Sequence, residues 1–316
     1  MPRYEVRDQK ALSNTCEVNA TNHCNLACSQ CTHLSPVAPR FNSDPAVVYR
    51  DLATLSESYS VDQVRILGGE PLLHPAIEEL VAAVRRAGIC ETIALVTNGV
   101  LLAKAPQSLW DAVDSVDASS YPGFRLEGEA LAACRSRAAA GHTALRVRPV
   151  ETFRAAYVSE GTSDDGLRQQ IYSSCKMAHQ WRCHTVAEGF FFKCPPAFLL
   201  PKQAGHSTDS SWQKDGIAIE RGPAFRARLL AYLQATAPLS ACGRCLGTAG
   251  VVQPHAQLKR SEWMASLEGR AEDLIDPRAL RLRFDGRRSV VSGLRWHVGR
   301  RPAGLWRGVQ RALARR

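Results

Sequence analysis

The chain has 316 residues, 45% of them hydrophobic, which is enough to bury the core of one large or two modest domains. It contains no apolar run of about twenty residues and no N-terminal signal-peptide pattern, so we expect a cytoplasmic protein without a transmembrane segment. The residues after 276 carry a net charge of +11 and the whole chain +10, so the rest of the chain, at −1, shows no bias toward a nucleic-acid-binding protein.

Residues 14–150 alternate short apolar runs with helical periodicities, which predicts βαβ units and a parallel sheet. Asp44 followed by Pro45 is a typical start signal for the first of these helices. Right-handed crossovers bring the carboxyl ends of such strands to one rim, where parallel-sheet proteins bind ligands. The predicted strands are 16–20, 63–68, 92–97, 115–119 and 144–150, and the predicted helices are 45–59, 75–88, 105–113 and 126–140.

Three cysteines follow the first predicted strand in a CxxxCxxC pattern, Cys24, Cys28 and Cys31. Eleven cysteines in a reducing compartment favour metal ligands over disulfides. Thiolates select iron–sulfur clusters, zinc or Cu(I), and a cubane cluster needs one ligand for each of its irons. Three thiols would leave one iron open to a group that is not protein. The alternative is a zinc knuckle that His23 or His33 completes.

Polar loops follow the next three predicted strands. In the first of them, two glycines allow backbone carbonyls to approach a ligand ammonium and Pro71 fixes the turn, although an ordinary strand-ending turn explains them equally well. Asn98 is compatible with ligand contact and with a simple turn. Arg146 and Arg148 share one face of the fifth strand, either to pair with a carboxylate of a cofactor or substrate or as solvated side chains. The three loops are Gly68-Gly69-Glu70-Pro71, Thr97-Asn98-Gly99 and Ser119-Ser120-Tyr121-Pro122.

The three-cysteine pattern after a strand, followed by the Gly-Gly-Glu-Pro turn, resembles the radical S-adenosylmethionine (radical SAM) enzymes over residues 14–125. The resemblance implies a partial (β/α)6 barrel and a [4Fe–4S] cluster whose open iron is chelated by S-adenosylmethionine. The reduced cluster cleaves this cofactor to methionine and a 5′-deoxyadenosyl radical, which takes a hydrogen atom from a small-molecule substrate. An external electron donor such as flavodoxin or ferredoxin is implied as well. The resemblance implies cofactor contacts for the turn Gly68, Gly69, Glu70 and Pro71 and for Ser119. Asn98 and Arg146, at the positions described above, complete the predicted cofactor-binding set.

A second set of five cysteines lies beyond residue 150, where the strand and helix alternation stops: Cys175, Cys183, Cys194, Cys242 and Cys245. The segment from Cys183 to Cys194 predicts a β-hairpin with its turn at Glu188 and Gly189. Pairing across this turn places Cys183 opposite Cys194, with their Cα atoms about 5 Å apart. Cys242 and Cys245 form a CxxC pair after a helix-like stretch at 225–234.

This layout resembles the auxiliary-cluster domain of radical SAM enzymes that is called twitch, a shortened form of the SPASM domain. The resemblance implies a second [4Fe–4S] cluster held by four of the five thiols, with a structural zinc ribbon as the alternative. The family spacing favours Cys175 as the first ligand and the hairpin geometry favours Cys183, so the choice stays open. The thiol left over is a candidate hydrogen-atom donor of the kind radical epimerases use, whereas a cluster without a nearby thiol suits a dehydrogenase. Cys16, Cys90 and Cys134 are predicted to be small buried hydrophobes.

The predicted α/β fold therefore has a radical SAM core at 1–150, extending to about 170, and an auxiliary-cluster domain at 171–250. A basic extension of unknown role follows at 251–316, in which Trp296 and Trp306 are interleaved with arginines. Apolar residues recur at helical spacing between 305 and 313, as in a partner-docking helix or a solvated tail, and the partner is not specified.

The expected reaction is hydrogen abstraction from a sugar, aminocyclitol or nucleoside, followed by dehydrogenation or epimerisation. One alternative is a peptide-modifying enzyme that matures ribosomal peptides. Another is a non-catalytic iron–sulfur or zinc protein that binds nucleic acid through its basic segment.

Overall fold

The computed structural model describes residues 4–203 and 210–284. The arginine-rich pattern around Trp296 and Trp306 and the helical spacing at 305–313 lie outside the described residues. The strands are β1 (Val6–Arg7), β2 (Lys10–Thr21), β3 (Tyr59–Gly68), β4 (Cys90–Thr97), β5 (Ser115–Ser120), β6 (Ala144–Pro149), β7 (Thr152–Arg154), β8 (His184–Ala187), β9 (Phe190–Phe192), β10 (Gly216–Ala218) and β11 (Val252–Pro254). The helices are α1 (Pro45–Leu55), α2 (Ile77–Ala87), α3 (Gln107–Ala112), α4 (Gly128–Ala140), α5 (Asp165–Ser174), α6 (Lys176–His179), α7 (Pro195–Gln203), α8 (Gly222–Gln234), α9 (Arg260–Trp263) and α10 (Pro277–Leu280).

The five strands expected from the first 150 residues form a continuous parallel run in chain order, from β2 to β6. The first four, β2 to β5, are each followed by a helix, α1 to α4, and these helices pack into one core cluster with the sheet, as right-handed crossovers require. The first helix begins where predicted, because Asp44 accepts a hydrogen bond from the Ala46 N–H at 2.7 Å and Pro45 follows it. Helix α2 ends at Gly88, which takes the left-handed conformation with φ 66°.

Alternation along each strand separates an apolar face from a charged one. Cys16 and Val18 of β2 join a buried cluster with the helices, whereas Glu17 between them points to the opposite face. The same division recurs on β3, where Ile66 is in the core and Arg65 is not. One face of the sheet thus holds the core, and the other is free to carry polar chemistry.

The hairpin predicted between Cys183 and Cys194 is present as β8 and β9, with Glu188 (φ 50°) and Gly189 (φ 81°) at its turn. Its first strand pairs in parallel with β2, so the hairpin continues the main sheet. The sixth parallel strand therefore lies beside the first strand and not beside the fifth. The sheet is a mixed α/β sheet consistent with a partial barrel, whereas a separate auxiliary domain and its boundaries stay predictions.

Beyond the main sheet, β7 and β11 form a separate antiparallel pair. This pairing places the segment after residue 250 next to β7, the strand that directly follows β6 in the chain. Among the helices that the structure describes, none combines the length and apolar composition needed to cross a lipid bilayer.

Candidate functional site

Cys24, Cys28 and Cys31 lie in the loop that follows β2 and form one electrostatically coupled group. Burial raises the pKa of Cys24 to about 11 and that of Cys28 to about 12, and the charge of Cys31 adds to both shifts. Burial raises the pKa of Cys31 as well. Hydrogen-bond donors point at the sulfurs, among them the Leu26 N–H, whose nitrogen is 3.4 Å from Cys24 Sγ. Such donors stabilise the thiolate form that a metal ligand must adopt.

This donor set fits a cubane that takes three of its ligands from the loop. Within 4–203 and 210–284, no group of three or more His, Cys, Asp and Glu side chains has the geometry of a site for a single metal ion. A cubane does not need that geometry, because each of its thiolates binds a different iron and the sulfurs stand farther apart. The three coupled thiols, with N–H donors at their sulfurs, are the residues that would hold the cluster.

The Gly-Gly-Glu-Pro turn packs directly against the start of the cysteine loop. The Gly69 N–H donates to the Thr21 carbonyl and the Glu70 N–H donates to the His23 carbonyl, both at 2.7 Å. A Cβ atom on Gly69 would lie 2.0 Å from the His23 carbonyl oxygen, a distance that no side chain can occupy. Glycine is therefore required here by the approach of two backbone segments, whatever ligand the turn also binds.

Glu70 joins the loop after β3 to the loop after β4. Its side chain is fully buried and accepts three hydrogen bonds, from the Thr97 hydroxyl (2.7 Å), the Asn98 N–H (2.8 Å) and the Leu72 N–H (3.1 Å). Burial raises the pKa of Glu70, and these hydrogen bonds act in the opposite direction. A carboxylate with three donors around it fixes the relative position of the two loops.

Asn98 and Ser119 also point toward the rim. The Asn98 amide donates to Asn25 Oδ1 at 2.7 Å, and its nitrogen is 3.7 Å from Cys24 Sγ. Ser119 hydrogen-bonds with Tyr121, whose pKa is raised by burial and further by the charges of the three cysteines of the loop. The predicted rim residues of β3, β4 and β5 thus converge on the cysteine loop.

The segment at 255–267, to which the sequence assigned no role, holds the cysteine loop from the other side. The Leu258 N–H donates to the Ala27 carbonyl at 2.9 Å, and the Ser29 N–H donates to the Ala256 carbonyl at 2.8 Å. The buried Trp263 indole donates to the Cys28 carbonyl at 2.9 Å. No local pattern marks these contacts, because they join residues more than 200 positions apart. The only sequence feature that could have drawn attention to this segment is its run of polar and aromatic side chains.

The face of the sheet opposite the core carries five charged side chains, Glu17, Arg65, Asp117, Arg146 and Arg148, which we call the charged face. The Asp117 carboxylate pairs with all three arginines of this face. The distances from its oxygens to the guanidinium nitrogens are 2.5 Å for Arg146, 3.5 Å for Arg148 and 3.6 Å for Arg65. Arg65 also reaches Glu17 at 4.0 Å. Arg146 and Arg148 do share one face, as the strand pattern predicts. Their partner in the structure is a carboxylate of the protein.

Four of the five cysteines of the second set lie together: Cys175, Cys194, Cys242 and Cys245. They line a small, otherwise apolar cavity of about 20 Å³, whose walls include Ile171, Met177, Ala178 and Leu239. Burial raises the pKa of all four thiols. The charge of Cys175 contributes to the shifts of the other three, so all four are close to one another. That these four residues hold a second cluster stays a prediction.

Cys183 does not line the cavity that the other four cysteines share, although the charge of Cys175 acts on it as well. Its thiol donates a hydrogen bond to the buried carboxylate of Glu17, and Arg65 also acts on it. Burial and the Glu17 charge raise the pKa of Cys183 well above its usual value, which keeps the sulfur protonated. Hairpin pairing alone favoured Cys183 as a ligand. The side-chain environment puts it on the charged face instead.

The remaining cysteines are in the positions that the sequence indicated. Cys16 and Cys134 are completely buried in the core of the main sheet, and Cys90 packs against it half-buried. None of them lies at the rim or in the second group. A buried carboxylate, Asp215, supports the CxxC pair, since it accepts the Ser240 and Ala241 N–H groups at 2.7 Å.

A family comparison covers the cysteine loop and the turn that packs on it. Residues 18–119 match the family described as the Radical SAM superfamily. The match confirms, for that segment, the resemblance drawn from the three cysteines and the Gly-Gly-Glu-Pro turn.

The curated relatives overlap with parts of the chain only. GTP 3′,8-cyclase of Mycobacterium marinum is 30% identical over 224 residues, which cover 63% of this chain and 62% of that protein. GTP 3′,8-cyclase of Chlorobaculum tepidum is 38% identical over 104 residues, 32% of this chain and 31% of that protein. Molybdenum cofactor biosynthesis protein 1 of Homo sapiens is 34% identical over 89 residues, 28% of this chain and 14% of that protein. The chain spans less than two thirds of the length of these relatives.

Among solved structures, BtrN in complex with AdoMet and 2-DOIA aligns over 75% of this chain and 94% of that chain, at 17% identity and a TM-score of 0.41. A similarity at this level supports no inference about function. The family match runs from the end of β2 through the cysteine loop to Ser119 in β5. Residues 18–119 therefore match the radical SAM family, and a match to that family implies a [4Fe–4S] cluster and S-adenosylmethionine as cofactors.

Proposed function

We propose that the protein is a radical SAM enzyme that epimerises a small polar metabolite, such as a sugar, an aminocyclitol or a nucleoside. Cys24, Cys28 and Cys31 hold the cluster with one open iron. Gly68, Gly69, Glu70, Pro71, Asn98 and Ser119 bind the cofactor at the rim. The substrate lies against the charged face. The observation that carries the proposal is the place of the Cys183 thiol, beside Glu17 on that face and outside the cavity that the other four cysteines of the second set line.

When bound, the cluster and its cofactor supply a 5′-deoxyadenosyl radical that removes one hydrogen atom from a substrate C–H bond. Cys183 then gives its hydrogen atom to the opposite side of the substrate carbon: the S–H bond breaks, a C–H bond forms and the configuration inverts. The sulfur is left one electron and one proton short. An external donor such as flavodoxin or ferredoxin supplies that electron and the one that cofactor cleavage consumes, and solvent supplies the proton.

The residues of the charged face have two tasks in this scheme. Glu17 orients the thiol, because its carboxylate accepts the S–H of Cys183. Asp117 and the arginines around it offer both acceptors and donors, which suits the hydroxyl and amino groups of a sugar-like substrate. Arg146 is 52% exposed in its side chain, so it can leave Asp117 for a substrate or cofactor carboxylate.

Dehydrogenation is the second candidate, and the group formed by Cys175, Cys194, Cys242 and Cys245 favours it. A cluster held there can take an electron from a substrate radical, which then loses a proton. The curated relatives named GTP 3′,8-cyclase keep a nucleotide among the substrates to be tested. A peptide substrate stays a further alternative.

The test is anaerobic turnover in deuterated water with a panel of sugars, aminocyclitols and nucleosides. Epimerisation through an exchangeable thiol predicts one deuterium in the recovered substrate. Cys183→Ala should still form 5′-deoxyadenosine but incorporate no deuterium, whereas Cys90→Ala, a matched control at a half-buried strand position, should behave like the wild type. A product two mass units lighter, or unchanged deuterium uptake in Cys183→Ala, would exclude the assignment of Cys183 as donor.

A further inference from the structure

Gln257 is the one side chain of the 255–267 segment for which the structure gives a hydrogen bond to a cysteine sulfur of the loop. Its Nε2 is 3.1 Å from Cys28 Sγ, and its Oε1 is 2.7 Å from the Ala27 nitrogen. The main chains of Cys28 and Gln257 also form an antiparallel bridge. The Gln257 side-chain amide therefore forms hydrogen bonds with two adjacent residues of the loop, Ala27 and Cys28.

The chemistry of the partners fixes which way the amide points. The Ala27 N–H can only donate, so the atom that faces it must be the carbonyl oxygen of Gln257. The NH2 group then necessarily faces the Cys28 sulfur. Its nitrogen is also 3.3 Å from His255 Nε2, which accepts from the second amide hydrogen when His255 is neutral. An N–H donor at the sulfur is thus a consequence of the loop backbone.

His255 is itself held in place by aromatic neighbours. Its ring stacks on Tyr121 with the centroids 4.5 Å apart, and Phe153 packs edge-on against it at 5.0 Å. Gln257 is therefore restrained on both sides, by the cysteine loop and by His255. A restrained donor keeps its hydrogen bond in each oxidation state of a metal centre, which a mobile one does not.

We propose that Gln257 sets the reduction potential of the cluster held by Cys24, Cys28 and Cys31, raising it through the N–H donated to the Cys28 sulfur. The inference rests on the proposed function in that it requires the cluster. Hydrogen bonds to cysteine sulfurs stabilise the more negative, reduced form of an iron–sulfur cluster. Gln257 thereby makes the cluster easier for a weak biological donor to reduce, and it acts through Cys28 as a positioning residue.

Two variants distinguish the effect of the N–H donated to Cys28 from the effect of the contact with Ala27. Gln257→Glu keeps an oxygen for the Ala27 N–H but places a carboxylate where the N–H donor was. Gln257→Leu removes both contacts. Gln253→Glu is the matched control, since Gln253 lies on β11 four residues earlier and the same charge is introduced there. Iron content verifies that each full-length variant is loaded.

The measurement is an anaerobic redox titration followed by electron paramagnetic resonance, using the reduced signal that changes when S-adenosylmethionine is added. The proposal predicts a midpoint potential more negative in Gln257→Leu than in the wild type and lowest in Gln257→Glu, with Gln253→Glu unchanged. Equal potentials in wild type and both Gln257 variants would overturn the role of Gln257 and leave the proposed function standing. Absence of any signal that responds to S-adenosylmethionine in the wild type would overturn both.

Discussion

The main chains of Tyr157 and Cys245 form an antiparallel bridge, which links the two groups of cysteines. Tyr157 is fully buried, and its hydroxyl donates to the carbonyl of Thr32, the residue after Cys31. The charges of Cys245, Cys31 and Cys194 all act on the Tyr157 hydroxyl, whose pKa is raised chiefly by burial. One rigid side chain therefore spans the space between the loop that would hold the first cluster and the cavity that would hold the second.

The assignment of the second group predicts how iron content responds to substitution. Two cubanes correspond to about eight irons per chain, and loss of one leaves about four. Cys175→Ser should reduce the iron content to about four, because Cys175 lines the cavity with Cys194, Cys242 and Cys245. Cys183→Ser should retain about eight, because its thiol faces Glu17. Iron and sulfide analysis after anaerobic reconstitution measures both, and the reverse pattern would make Cys183 the ligand.

The close approach at Gly69 predicts a large loss of stability on Gly69→Ala. The added Cβ would lie 2.0 Å from the His23 carbonyl oxygen, so the turn and the cysteine loop would have to separate. We expect a loss of more than about 3 kcal/mol in the free energy of unfolding, measured by urea denaturation under anaerobic conditions.

Gly88→Ala provides the comparison for this substitution. Nothing lies within 4 Å of a Cβ at Gly88, and the only cost is its left-handed backbone with φ 66°. That strain is worth about 1–2 kcal/mol. Equal losses for Gly69→Ala and Gly88→Ala would show that the two loops do not need their close contact.

The buried hydrogen bonds of Glu70 predict that Glu70→Gln lowers stability and weakens cofactor binding. In Glu70→Gln the new NH2 group would face a backbone N–H that can only donate, either that of Asn98 or that of Leu72, in a fully buried place. Leaving buried donors unpaired costs about 1–3 kcal/mol. We expect lower thermal stability and weaker binding of S-adenosylmethionine, measured by calorimetry, because the loops after β3 and β4 lose their link. Unchanged binding would assign Glu70 a role confined to folding.

Local patterns were sufficient to predict the parallel run from β2 to β6. The apolar runs, the Asp44 and Pro45 start signal and the glycine turns lie within a few residues of the elements they specify. The cysteine loop and the turn at Gly69 were expected at the same rim because parallel strands end there, and their backbones are hydrogen-bonded to one another. The reason for glycine at position 69 differs from the expected one: its backbone lies against the cysteine loop, whereas the sequence suggested the approach of a ligand.

The contacts that could not be predicted join distant parts of the chain. The hairpin at Glu188 has a clear local signal, but its pairing with β2 depends on which sheet edge is free. The choice between Cys175 and Cys183 needed the side-chain neighbours of both, and spacing alone points either way. Gln257 belongs to no recognisable motif. Its hydrogen bond to Cys28 depends on the fold, and nothing in the local sequence distinguishes it from a surface glutamine.

The most direct test of the account is formation of 5′-deoxyadenosine by the full-length protein, reconstituted anaerobically with iron and sulfide and given dithionite and S-adenosylmethionine. We expect the wild type to form it, Cys28→Ser to lose it and Cys90→Ser to keep it. An iron-loaded wild-type protein that leaves S-adenosylmethionine intact, or a Cys28→Ser variant as active as the wild type, would contradict the claim that these three cysteines carry the radical chemistry.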